Sequence, residues 1–163
     1  MYTMTISEKL RASEETFSDI TKSTLNQSYV AITNDVQITV WPEFLDSRFT
    51  LIGDLFMWAY HVRIDNRGVE PVQLLSRYWR IVDAKGAVQE INGEGVIGEQ
   101  PTIEPGKYFQ YTSGTHLYLP SGIMVGHYKM QKISPEKEDK IFDAKIPSFS
   151  LDIPAMKISA HIH

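Results

Sequence analysis

From Val36 onward the chain alternates apolar and polar positions with a period of two. Val36, Ile38 and Val40 face one way, Gln37 and Thr39 the other, and the run ends at Trp41-Pro42. Side chains on a strand point to opposite faces in turn, so the alternation predicts a strand with one buried face. The clearest case runs from Leu55 to Asp65. Phe56, Trp58, Tyr60, Val62 and Ile64 share a wholly apolar face, while Leu55, Met57, Ala59, His61 and Arg63 make a mixed one. That contrast is expected of a sheet covering a core on one side. Asn66-Arg67-Gly68 reads as a turn, and Pro71 opens the next strand, Val72 to Asp83, with Leu75, Trp79 and Ile81 on one face. Asp83-Ala84-Lys85-Gly86 turns the chain into a short strand, Ala87 to Ile91, and Gly93 to Gly106 forms a long loop. Strands then follow over Lys107 to Thr115, Ile123 to Gln131, Ile141 to Ile146 and Ser148 to Ile153, the last two interrupted by Pro147. Pro147 and Pro154 mark an edge, where a missing ladder donor is tolerated.

Seven or eight short strands separated by frequent turns predict an all-β protein, an antiparallel β-sandwich. Trp79 in the third strand and Tyr128 in the penultimate one suit an immunoglobulin-like or fibronectin III-like core. The inter-sheet cysteine pair is absent, which favours the fibronectin III-like variant; a small barrel is the alternative. Residues 1–28 differ in character. Ile6, Leu10, Phe17, Ile20 and Leu25 fit a ragged helical stripe and Thr5-Ile6-Ser7-Glu8 a capping box, yet the segment is dense in Ser and Thr. It is read as an N-terminal extension, helix or flexible arm, ahead of a sandwich domain over residues 29–163.

Composition narrows the function classes. The 163 residues include no cysteine, which excludes a disulfide framework, a thiol nucleophile and any thiolate metal site. A formal net charge of −4 argues against nucleic acid as a general partner. No apolar run approaches a membrane span, and the N-terminus lacks the layout of a secretory signal while carrying Glu8, Glu14, Glu15 and Asp19. The expected location is cytoplasmic.

Gly93-Glu94-Gly95-Val96-Ile97-Gly98 spells G-x-G-x-x-G, whose chemistry is backbone amides cradling a pyrophosphate at the start of a helix. Glu99-Gln100-Pro101 follows, where no amphipathic helix can begin, and Glu94 and Glu99 repel a phosphate. The reading from residues alone is therefore a loop needing positive φ, with an anion nest as the residual possibility. His61 and His127 read as ordinary sheet positions, surface or half-buried, and His116 as a turn residue. His161 and His163 have the i, i+2 spacing of a weak chelating pair, short of the three or four ligands a dedicated site needs. Arg63, Arg77, Arg80 and Lys85 are candidates for a small basic patch. No nucleophile, base and orienter assemble in the sequence, so no catalytic residue, metal site or cofactor is assigned.

Val72-Gln73-Leu74-Leu75-Ser76-Arg77-Tyr78-Trp79, the glycine motif through Pro101, Tyr111-Thr112-Ser113-Gly114, Gly126-His127-Tyr128 and the closing Phe142-Asp143 … Ile146-Pro147-Ser148-Phe149 together resemble the bacterial ApaG family. The resemblance covers about residues 29–154. It implies a fibronectin III- or immunoglobulin-like sandwich and a protein-interaction module rather than an established reaction. It also implies a possible pyrophosphate site at Gly93, Gly95 and Gly98, and a link to cobalt and magnesium homeostasis. The expectation is a non-enzymatic binding module. It would engage a protein partner or small ligand, or a second copy as a homodimer, through a sheet edge or the Gly93 to Gly106 loop. The alternative is a nucleotide-polyphosphate binder using Gly93, Gly95, Gly98 and Arg77.

Overall fold

The computed structural model describes residues 28–153; the apolar stripe of the N-terminal extension, Pro154 and the His161/His163 pair lie outside the described residues. Nine strands follow in order: β1 (Tyr29–Thr33), β2 (Val36–Thr50), β3 (Gly53–Asn66), β4 (Val72–Asp83), β5 (Val88–Glu94), β6 (Thr102–Ile103), β7 (Tyr108–Leu117), β8 (Gly122–Lys132) and β9 (Lys140–Ser150). One sheet has the order β1-β2-β3-β7 and the other β5-β4-β8-β9, with β6 added to the start of β4, and every pairing is antiparallel. This is the predicted two-sheet sandwich. No helix among the described residues is long and apolar enough to cross a membrane.

The strands differ from the sequence expectation where an extra residue breaks the period of two. β2 does not stop at Trp41-Pro42. It runs on to Thr50, with Pro42 opposite Tyr60 and a bulge between Phe44 and Asp46. Proline is tolerated there because β1 pairs β2 only as far as Val40, so the missing N–H faces no described partner strand. In β4 a bulge lies between Leu74 and Ser76. It puts Leu74, not Leu75, in the core beside Val72; beyond it Arg77 faces inward with Trp79 and Ile81 by ordinary alternation. The two predicted C-terminal strands are one, β9, bulged where Pro147-Ser148 stand opposite the register break between Met124 and Gly126. β1 and the two-residue β6 had no sequence expectation.

The core is built on Trp79. Its fully buried indole meets Tyr60, Tyr128 and Phe149 edge-on at centroid separations of 5.2, 6.2 and 6.0 Å. Gly126 stands opposite Trp79 in the neighbouring strand, and a Cβ there would lie 2.2 Å from the Tyr78 carbonyl oxygen and 3.0 Å from the indole. One lateral side of the sandwich is closed: the Lys145 backbone N–H donates to Thr33 Oγ1 at 3.1 Å, and Tyr29 Oη and Ser150 Oγ share a hydrogen bond of 3.2 Å, joining β9 to β1. The opposite side is bounded by β5 and β7.

Gly126→Ala is expected to cost about 1–3 kcal/mol by overpacking against Trp79, and Trp79→Ala about 3–5 kcal/mol by cavity formation, both read by urea unfolding. A Gly126→Ala protein as stable as the parent contradicts this packing.

Candidate functional site

The glycine motif closes on itself after β5. The Val96 N–H donates to the Glu99 carbonyl at 2.8 Å and the Glu99 N–H to the Val96 carbonyl at 2.9 Å, with φ of +46° at Ile97 and +79° at Gly98. Two positive φ angles inside a two-residue loop are those of a type I′ turn, which explains glycine at 98. Gly95 also has positive φ (+61°), and a Cβ on it would lie 2.1 Å from the Glu99 carbonyl oxygen. Gly93 leaves room for the Arg77 guanidinium, 2.8 Å from where its Cβ would be. The side chain of Val96 is fully buried in the core and pins the loop there.

The inward turn of Arg77 gives this loop its second anchor. Arg77 Nη1 donates to the carbonyls of Glu94 and Gly95 at 3.2 and 2.8 Å. The Gly95 N–H and Gln100 Nε2 both donate to the Leu75 carbonyl at 2.8 Å, at the bulge itself. The structure thus brings Arg77, Gly93 and Gly95 together, while Gly98 stands at the tip of the turn with open space beside it. The amides of Gly95, Val96 and Glu99 are spent on carbonyls, and the chain continues into β6 rather than a helix.

Behind Arg77, between the sheets, lies a cluster of phenols. Tyr111 and Tyr128 share a buried hydroxyl–hydroxyl bond, and Tyr60 stands opposite Ser113 across β3 and β7. Burial raises the pKa of all three above the ordinary 10.0, with Arg77 pulling weakly the other way. At neutral pH the three therefore keep their protons and serve as hydrogen-bonding groups, not bases.

The remaining candidates separate. His61 is buried, not at the surface or half-buried, because its cross-strand neighbours hold both ring nitrogens: Nδ1 is 2.7 Å from Thr112 Oγ1 and Nε2 2.8 Å from Glu43 Oε2. His127 stacks on Tyr78 at 5.1 Å, and His116 meets Tyr118 edge-on at 5.5 Å. Among the described residues no group of three or more His, Asp or Glu side chains could hold a metal ion. The basic residues do not form one patch. Arg63 pairs with Asp65 and lies over Tyr108 on one sheet, Arg77 points between the sheets, Arg80 is exposed on the other sheet, and Lys85 sits in the β4–β5 turn.

One feature of this side was not legible in any motif. β7 is the outermost strand of its sheet, paired along all ten residues to β3 without a bulge, and among the described residues no strand pairs with its other side. Tyr108 to Leu117 contains no Asp, Glu, Lys, Arg or Pro. Sheet edges are ordinarily guarded by such residues, by bulges or by shortness. β5 carries Glu90 and Glu94, β1 is short and backed by β9, and β9 carries Lys140, Asp143, Lys145 and a proline bulge.

Fold and site together define a fibronectin III-like antiparallel sandwich with a stapled glycine loop and, among the described residues, one unguarded edge, and not an α/β nucleotide-binding domain. The ApaG domain (DUF525) matches residues 52–132. A "Protein ApaG" from Parvibaculum lavamentivorans is 48% identical over 133 residues, 82% of this chain and 99% of its own. Another from Rhodospirillum centenum is 50% identical over 126 residues, 77% of this chain and 94% of its own. A Bordetella pertussis protein solved by crystallography is 35% identical with a TM-score of 0.66, covering 79% of this chain and 98% of that one. The chain belongs to the ApaG family.

Two predictions follow from the loop and the phenols. Gly98→Ala is expected to cost about 1 kcal/mol, the strain of a left-handed residue, whereas Gly95→Ala costs about 3 kcal/mol because the Glu99 carbonyl must also move. Equal unfolding midpoints for the two variants contradict this loop geometry. The raised phenol pKa values contribute stability fully below pH 10, where the unfolded tyrosines are also protonated, and lose it as pH rises above 10. Urea midpoints are expected to fall steeply above pH 10, and less steeply in Tyr111→Phe/Tyr128→Phe; equal pH dependence in the two proteins counts against the cluster.

Proposed function

We propose that this ApaG domain is a non-enzymatic, cytoplasmic binding module that takes an extended segment of a protein partner on the outer edge of β7. The observation that carries this reading is the ten-residue edge without charge, proline or bulge. Its outward N–H and C=O groups supply affinity to any strand laid beside them, and side chains on alternate positions supply selectivity. The outer-face positions Gln110, Thr112 and His116 then become cross-strand neighbours of the incoming segment. Catalysis finds little support. The nearest thing to a nucleophile–base–orienter chain, Thr112–His61–Glu43, centres on an imidazole that is 1% exposed with both nitrogens engaged.

The rival reading places a nucleotide polyphosphate or pyrophosphate, with a role in divalent-cation homeostasis, at Gly93, Gly95, Gly98 and Arg77. Arg77 gives it a cation at the right loop. Against it, three loop amides and Arg77 Nη1 already bond protein carbonyls, so an anion held by those groups has to break the staples that hold the loop.

Displayed random peptides selected on the purified protein separate the two. Selected peptides are expected to protect alternate β7 amides from hydrogen exchange and to lose binding at least about tenfold in Gln110→Lys/His116→Lys, which restores edge charge. Protection that maps to residues 93–100, or a thermal shift with a dinucleoside polyphosphate and magnesium that Arg77→Gln removes, favours the rival and overturns the edge.

A further inference from the structure

One patch on the outward face of the β1-β2-β3-β7 sheet is covered although no described strand lies over it, while Val30 and Ile32 on β1 beside it stay 53% and 57% exposed. Val36, Ile38, Val40, Trp58, Tyr60 and Val62 fill the core, so by alternation Thr39, Trp41, Ala59 and His61 point away from it. Yet these four are 6%, 7%, 7% and 1% exposed. On the outward face of the other sheet Ile123 and Ile141, also apolar, are 53% and 58% exposed, which is what a two-layer sandwich leaves in water. A groove of about 510 Å³ continues from the buried patch past Val30, Arg63 and Arg67.

We propose that residues 1–27 of this chain dock across that face. Three observations select them. Tyr29 pairs with Val40, so Ser28 meets the sheet beside Trp41 and the preceding chain arrives at the patch itself. The segment is long enough: even at a helical rise of about 1.5 Å per residue it exceeds the roughly 19 Å width of four strands, and Ile6, Leu10, Phe17, Ile20 and Leu25 give it apolar positions for Trp41 and Ala59. The other end of the chain is badly placed: residues 154–163 depart from Ile153, whose N–H donates to the Pro120 carbonyl beyond the far end of β7.

The cysteine-free chain makes the test direct. Ala59→Cys in the full chain places a single thiol under the proposed cover, and Val69→Cys, at an exposed position, gives the open reference. Modification of Ala59→Cys by a disulfide reagent is expected to be slow and to accelerate at least about tenfold when Phe17→Glu and Ile20→Glu are added. Acrylamide quenching of Trp41 provides a second reading without a new thiol, since Trp58 and Trp79 lie inside the core, and their unchanged emission verifies the fold. Three outcomes overturn the proposal: Ala59→Cys reacting as fast as Val69→Cys, a slow rate that Ile158→Glu/Ile162→Glu releases but the Phe17/Ile20 pair does not, or a rate that rises on dilution, which assigns the cover to a second copy.

Discussion

Backbone hydrogen bonding at the lateral edges of the two sheets is the constraint on which this molecule turns. Every N–H and C=O that a sandwich leaves without a partner has to be met by something, and the ApaG fold here meets the demand unevenly. On the β1/β9 side, Thr33, Ser150 and the proline bulge of β9 close the gap. On the β5/β7 side the closure is partial: Arg77, facing inward with Trp79, holds the carbonyls of Glu94 and Gly95, and the glycine loop folds back onto the Leu75 carbonyl at the β4 bulge. Among the described residues nothing pairs with the outer edge of β7.

The loop carbonyls reconcile a charged residue with an apolar core. Arg77 faces inward in register with Gly93 and Tyr128, and three phenols line the way behind it. Polar groups buried together remain inexpensive when each finds a partner, as Tyr111 and Tyr128 do in one another. The glycines of the motif follow from that packing. A nucleotide fingerprint and a stapled I′ turn call for the same letters for different reasons, and only the residues around them tell the two apart.

How far the sequence reached follows from what periodicity can encode. The face of Phe56, Trp58, Tyr60, Val62 and Ile64 was legible because β3 pairs β7 in one unbroken register over ten residues, Phe56 to Asp65. The position of Leu75 was not, since Leu74 and Leu75 are interchangeable to a pattern and only the bulge decides which is buried. β1 was missed because its apolar residues, Val30 and Ile32, point outward while Ala31 and Thr33 face in. Arg77, Gly93 and Gly95 lie together and Gly98 stands apart at the turn's tip, a division the motif does not show because it rests on contacts between β4 and the loop. His61 was misplaced because its partners, Glu43 and Thr112, are 18 and 51 residues away in the chain. The edge of β7 was invisible: that a strand is outermost is a property of topology, not of its own residues.

The most direct test of an unguarded edge is native-state hydrogen exchange along Tyr108 to Leu117 in the full-length protein without added partner. Amides that bond β3 are expected to exchange slowly, and the alternating set that points away from it to exchange faster by orders of magnitude. Uniform protection on both sides of β7 would contradict the account, because the edge would then already be occupied.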